Sequence, residues 1–397
     1  MRTASLTKRQ WVIILIILAL LPRVALAYIN RDAYVGDFPL MVRWSEEGFN
    51  SHELAGTGWV LYAQLAKLIA GQNIVVFLFL MKLFAIIGDA LIVLTLFLVT
   101  DSLKWSLLFV LSPVAILVSA GIGHIDTLTL FPLLASLSLL KHRKYVLAGL
   151  LSGVGITLKF YPVFFIGIIG LYLLRNRITS WQRVIAYGIS AIGVYLLWLI
   201  ILSLFGGNTI VLAEFLDYSA GGTNTDLGLL QMLHNLGLPI RGMGGASLPG
   251  LWGEWFSRGK LLFGLKILFG CWVLFFLYRF QFEDVSDMLV YFLICFYTFL
   301  GGTAMEYLVW ILPFGFYRQR KDVLAFSLIA FPALLSFIMY KYPDFLVRDS
   351  LPFQPTWQAM AALTNAIYVI FVFIWFAYTT RTYWLASRND KIVVEAI

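Results

Sequence analysis

The segment from Tyr145 to Leu174 constrains this chain most. It is almost wholly apolar and lies between Lys141-His142-Arg143-Lys144 and Arg175-Asn176-Arg177. As one helix it would run ~45 Å at ~1.5 Å per residue, beyond a hydrocarbon core of ~30 Å, and would put the two basic clusters on opposite sides of a bilayer. A helical hairpin removes both difficulties. Its apex is Lys159-Phe160-Tyr161-Pro162, because proline ends one helix and opens the next.

Extending the same logic requires composition. Of 397 residues, 61% are hydrophobic and 13% charged, against roughly 25% charged in an average soluble domain. The chain is therefore expected to be an all-α polytopic membrane protein. Apolar runs place spans near 11–29, 74–99, 105–122, 127–140, 145–159, 162–174, 181–205, 260–278, 286–303, 305–317, 323–340 and 359–379, a bundle of about 12 transmembrane helices. The run that includes Ala25-Leu26-Ala27 imitates a cleavable signal, but it continues to Ile29 and reads as a retained first span. Both termini then fall in the cytoplasm, together with Lys104, Lys141, Arg143, Lys144, Arg175, Arg177, Arg279, Arg318, Arg320 and Lys321, as the positive-inside bias requires. The net charge of +8 is thus a topology signal, and no nucleic-acid partner is indicated. Cys271 and Cys295 lie in apolar runs and suggest no disulfide framework.

Three outer segments remain, residues 30–73, 206–259 and 341–358. The stretch from Ser51 to Ala70, with Trp59, Leu61, Tyr62, Leu65, Leu68 and Ile69 beside Gln64 and Lys67, suits a helix lying in the membrane interface. The second segment is rich in glycine and reads as a mobile loop with interrupted helices.

Ionisable groups at membrane depth are costly, so each is a functional or pairing hypothesis. Lys82 and Asp89 share one face of the second span and read first as structural, each bonding a neighbouring helix. Lys159, at the hairpin apex beside Tyr161, suits a phosphate as a point-charge partner, with a structural role as its rival. His124 and Asp126 form the outer turn Gly121-Ile122-Gly123-His124-Ile125-Asp126. Substrate hydrogen bonding outranks metal ligation there, since no nearby group completes a metal site, and capping by Asp126 is the plainer alternative. Glu306 opens the short tenth span at the same level, where it is open to pairing with Lys159 or an outer arginine, or to contact with a hydroxylated substrate. Asp37, just past the first span in Gly36-Asp37-Phe38-Pro39, is placed either to accept a proton from a hydroxyl or to cap a following helix.

Four segments together resemble the GT-C superfamily of integral membrane glycosyltransferases. Gly36-Asp37-Phe38 with Trp44 resembles the first-loop motif of the glucosyltransferases that extend the dolichol-linked glycan precursor. Gly123-His124-Ile125-Asp126 resembles their Gly-His-Phe-Asp element, which bacterial polyprenyl-phosphate mannosyltransferases share. Leu158-Lys159-Phe160-Tyr161-Pro162 resembles the bacterial Lys-x-Tyr-Pro hairpin, and Glu306-Tyr307-Leu308-Val309-Trp310-Ile311-Leu312-Pro313 resembles a late Gln-Tyr-x-x-Trp-x-x-Pro span. Glu306 departs from the usual Gln, and the first loop lacks the Asp-Glu pair of protein O-mannosyltransferases.

This resemblance implies a GT-C-like bundle with interfacial helices in the first outer loop. A shared membrane module would occupy residues 1–205 and a variable one residues 206–397. It also implies transfer of a sugar, mannose or another hexose, from a polyprenyl-phosphate donor to a lipid-linked or glycan acceptor. The reaction would invert the anomeric carbon on the extracytoplasmic face, within membrane lipids and with no cofactor or essential metal. The compact chain with its short loops favours a prokaryotic plasma membrane. Asp37 would be the general base. Lys159, Arg241 and Arg348 are candidate phosphate cations, with His124, Asp126, Tyr161 and Glu306 contacting donor phosphate or sugar. The competing expectation is a transporter or lipid flippase of about twelve spans, which predicts internal repeats and midplane charges. An inactive homologue that keeps the fold is a third reading.

Overall fold

The computed structural model describes residues 6–31, 41–42, 45–46, 57–204, 258–299, 304–342, 345 and 354–394. Most of these residues are helical, with no strand among them. The helices are α1 (Lys8–Ile29), α2 (Thr57–Ala70), α3 (Ile74–Thr100), α4 (Leu103–Val110), α5 (Pro113–Ile116), α6 (Asp126–Lys141), α7 (Tyr145–Leu158), α8 (Pro162–Arg175), α9 (Trp181–Leu204), α10 (Arg258–Arg279), α11 (Val285–Phe299), α12 (Ile311–Tyr317), α13 (Lys321–Lys341) and α14 (Gln354–Val394). A π-helical turn, Leu117–Gly121, follows α5, and a 3₁₀ turn, Met305–Val309, precedes α12.

Each expected apolar segment is helical in whole or part, but the number of membrane crossings is a separate matter. Among the described residues, five helices are long and apolar enough to cross a bilayer, or six if α4 and the stretch Pro113–Gly121 form one span bent by 46°. The expected continuous span over 105–122 is corrected here. Ser112 accepts from the Ala115 amide and Pro113 occupies the first turn of α5, so the helix restarts where proline cannot continue it. The hairpin at Lys159–Pro162 forms as expected. Lys159 is extended (φ −144°, ψ 149°), and Pro162 opens α8.

Salt bridges gather the basic clusters at one end of the bundle. Lys8 pairs with Asp101 (2.7 Å), Lys141 with Asp284 (3.6 Å), and Arg318 with Asp287 (2.9 Å). Arg175 reaches the Tyr278 carbonyl (2.9 Å). Three helices stop at this end in the same way. Lys144 N–H donates to Leu139 O after α6, Ile178 N–H to Leu173 O after α8, and Arg320 N–H to Gly315 O after α12. The preceding residues, Arg143, Arg177 and Gln319, have φ of 58°, 51° and 57°. This is the Schellman stop, usually made with glycine. Here two of the three left-handed residues are arginines, whose charge suits the negative pole of a helix C-terminus.

Charges inside the bundle are paired. Arg23 and Asp89 are fully buried, and the Arg23 guanidinium donates to the Asp89 carboxylate and to the carbonyls of Ala19 (3.1 Å) and Val110 (2.9 Å). Ser119 adds a bond to Asp89 at 2.6 Å. Lys82 donates to the carbonyl of Asn30, the C-cap of α1, where free carbonyls favour a cation. The structural reading of Lys82 and Asp89 therefore holds, and both bond α1.

In α2, Trp59, Val60, Ala63 and Ala66 pack on α3, whereas Leu65, Leu68 and Ile69 stay exposed.

The outermost contact is the seam between α7 and α9. A Cβ on Gly149 would stand 2.3 Å from the Tyr187 carbonyl, and one on Gly153 would stand 2.5 Å from that of Ala191. This Gly-x-x-x-Gly spacing lets two backbones touch where no hydrophobic drive joins helices in lipid, and Ser152 and Tyr187 add a hydroxyl bond (3.2 Å). Gly153→Leu is expected to detach α9, seen as loss of monodisperse protein in detergent and a lowered unfolding midpoint. Gly167→Leu, with open space around its Cβ position, should leave both unchanged.

Candidate active site

At the end of the bundle opposite the basic clusters, three stretches of sequence meet around Asp126. The π-helical turn closes when the Ile122 amide donates to Leu117 O, and His124 N–H then reaches Val118 O (3.0 Å). Between them Gly123 has φ 74°, a backbone state that costs a side-chain-bearing residue about 1 kcal/mol or more. This kink lets α6 begin at Asp126 with His124 folded beside it. Such π turns are frequent at functional sites.

Asp126 is fully buried and its two oxygens are divided between two elements. Lys159 Nζ lies 2.8 Å from Oδ2, and Trp310 Nε1 donates to Oδ1 at 2.7 Å. His124 Nδ1 stands 4.0 Å from Oδ2. Tyr161 donates to the Asp126 backbone carbonyl (3.3 Å) and stacks on Trp310 with ring centroids 3.9 Å apart. Burial first, and then the Asp126 charge, push the Tyr161 phenol well above its ordinary range. It therefore stays a neutral donor. Glu306, 7% exposed at the start of the 3₁₀ turn, adds negative charge near the same phenol.

His124, Asp126, Lys159, Tyr161 and Glu306 thus share one neighbourhood, although they come from three separate stretches of sequence. Capping by Asp126 is corrected. Ile125 is the N-cap of α6 and makes no side-chain cap bond, and Asp126 lies within the first turn with its carboxylate committed elsewhere. Asp37, Arg241 and Arg348 lie outside the described residues.

Two partners went unassigned from sequence. Trp310 stood within a quoted motif without a role, although a buried indole N–H needs an acceptor. Arg23 sits in the middle of the first apolar run, a position that itself demands a counter-charge.

A family model described as glycosyltransferase family 87 matches residues 57–303, more than half of the chain. The chain belongs to glycosyltransferase family 87. It is accordingly a glycosyltransferase of the GT-C membrane type. The matched region contains His124, Asp126, Lys159 and Tyr161, ends just before Glu306, and runs through the module boundary expected near residue 205. No curated protein and no solved structure matches the chain. The transporter reading gains no support from the family.

The Asp126 cluster can be dissected by stability. Asp126→Ala removes the acceptor shared by the half-buried Lys159 ammonium and the Trp310 indole N–H and is expected to cost about 2–4 kcal/mol, more than the loss of the indole bond alone. Trp310→Phe keeps the ring stack, loses one charge-assisted hydrogen bond, and should cost about 1–3 kcal/mol. Denaturant unfolding in micelles measures both. Equal effects would mean that the pairing with Lys159 contributes nothing.

Proposed function

We propose that this family 87 enzyme moves a hexose from a polyprenyl-phosphate donor to a lipid-linked or glycan acceptor on the extracytoplasmic side of a prokaryotic plasma membrane. The observation that carries the reading is the gathering of His124, Asp126, Lys159, Tyr161 and Glu306 at the bundle end opposite the basic clusters. In a chain of about twelve crossings with both termini inside, the positive-inside bias makes that end the outer one. The exposed Leu65, Leu68 and Ile69 of α2 then rest in the outer interface.

In this reading Asp37 takes the proton of an acceptor hydroxyl, and the resulting oxygen attacks the anomeric carbon from the face opposite the lipid phosphate. The bond from the anomeric carbon to the phosphate oxygen breaks, and the phosphate leaves with the electron pair. Configuration inverts. Phosphate is already a good leaving group, so positioning and charge stabilisation carry most of the catalysis.

Lys159 is the first candidate for the phosphate cation. Asp126 already balances its charge and Glu306 adds another negative group, so Lys159 alone would leave the departing phosphate facing a region without excess positive charge. A second cation is therefore required, and Arg241 and Arg348 are the candidates in the outer loops. Asp126 then orients Lys159 and does not itself accept the acceptor proton.

The test uses purified enzyme, radiolabelled polyprenyl-phosphate sugars and a membrane lipid extract. Asp37→Asn is expected to lower transfer by about 10²–10⁴-fold, the usual contribution of a general base. Near-normal transfer would remove Asp37 from that role. Lys159→Ala should raise the donor KM while the protein stays folded, and unchanged donor use would make Lys159 purely structural.

A further inference from the structure

Asp126 gives its two oxygens to two donors of unlike character. Lys159 Nζ lies 2.8 Å from Oδ2, and Trp310 Nε1 lies 2.7 Å from Oδ1. A carboxylate has two equivalent oxygens, and an ammonium on a flexible four-carbon stem can follow either of them. Lysine alone therefore does not decide which way the plane of the carboxylate faces. That decision falls to whichever donor is itself fixed.

The indole is the fixed donor. Its ring stacks on Tyr161 with centroids 3.9 Å apart and lies 4.2 Å from the Tyr307 ring, with Phe296 at 5.5 Å and Phe165 edge-on at 6.1 Å. Trp310 is 5% exposed and leads directly into α12, every residue of which is buried. Lys159 has the opposite setting. It stands in extended backbone at the break between α7 and α8, and its side chain is 19% exposed. Orientation therefore passes from Trp310 to Asp126, and from Asp126 to Lys159.

The residue type suits this task. An indole offers one N–H, no acceptor and no charge, so it turns the carboxylate without disturbing the balance between Asp126 and Lys159. A cation in its place would compete with Lys159 for the same oxygens. With the N–H removed, the carboxylate is free to rotate toward its remaining cationic partner, and the ammonium is drawn into a position bridging both oxygens. We propose that Trp310 is a positioning residue for sugar transfer: its N–H sets the Asp126 carboxylate so that the Lys159 ammonium is aimed at the donor phosphate. The inference rests on the reading of Lys159 as a phosphate cation, and adds the group that aims it. Such aiming has catalytic value because groups act on a substrate only when their own supports hold them to within about 0.5 Å.

The experiment is a double-mutant cycle on the purified full-length enzyme. Its donor is the radiolabelled polyprenyl-phosphate hexose that the wild type transfers fastest, with membrane lipid extract as acceptor. Trp310→Phe is expected to raise the donor KM about three- to tenfold, the range that one net hydrogen bond is worth, with the dependence on lipid extract unchanged. A merely structural role would lower the amount of active protein, and hence the rate, at an unchanged donor KM. In a Lys159→Ala background, Trp310→Phe should add nothing to the donor KM, because a residue that acts through another is non-additive with it. Replacing Trp310 by β-(3-benzothienyl)alanine keeps the bicyclic ring and exchanges the N–H for sulfur. It should raise the donor KM as Trp310→Phe does, and it decides the matter if the phenylalanine variant fails to fold. An unchanged donor KM in the Trp310 variants, alongside a raised one in Lys159→Ala, would overturn this inference and leave Lys159 in its role. Additive effects in the double variant would overturn it as well. No effect of Lys159→Ala on donor KM, or no transfer by the wild type, would remove the proposed reading and this inference together.

Discussion

A hydrocarbon interior offers buried polar groups no water, so each polar group inside this protein must find its partner within the protein. The bond from Lys159 and Trp310 to one carboxylate is the point at which this requirement organises the molecule. Asp126 opens α6, Lys159 ends α7, and Trp310 leads into α12. A single acidic side chain thereby fixes the relative positions of elements separated by as many as 184 residues. The Tyr161 and Trp310 rings stack beside this carboxylate, with centroids 3.9 Å apart. A donor phosphate arriving there would meet groups already oriented.

The Arg23–Asp89 pair applies the same rule deeper in the bundle, with a different outcome. Both groups are sealed from solvent and tied to Ser119 and to backbone carbonyls, so the pair holds α1 against α3 and offers nothing to a substrate. Lys159 is 19% exposed, so its pair with Asp126 is less sealed than the Arg23–Asp89 pair. Burial separates these two ion pairs, although both lie in apolar surroundings.

Much of the fold could be read from sequence because bilayer thickness and basic flanks act locally. The Lys159–Pro162 hairpin follows from segment length, two basic clusters and one proline, and the structure has it where those features put it. The break at Ser112–Pro113 carried an equally local signal, a cap residue followed by proline, but the apolar pattern continued across it and hid the restart. Pairings between helices were another matter. Nothing near Asp126 in sequence marks Trp310 as its partner, and nothing near Asp89 marks Arg23, because each contact depends on how distant helices cross. Residue chemistry could announce that a partner was needed. Only the packing could say which.

The two ends of the bundle handle positive charge in opposite ways. At the basic end, arginines occupy left-handed helix stops and ion pairs. At the other end, Lys159 is balanced by Asp126 and accompanied by Glu306. Binding ground and transition states equally does not accelerate chemistry. In the proposed reaction, a lysine already balanced by a carboxylate would hold the product phosphate less firmly than an unbalanced one, and the second cation needed for departure would come from the outer loops.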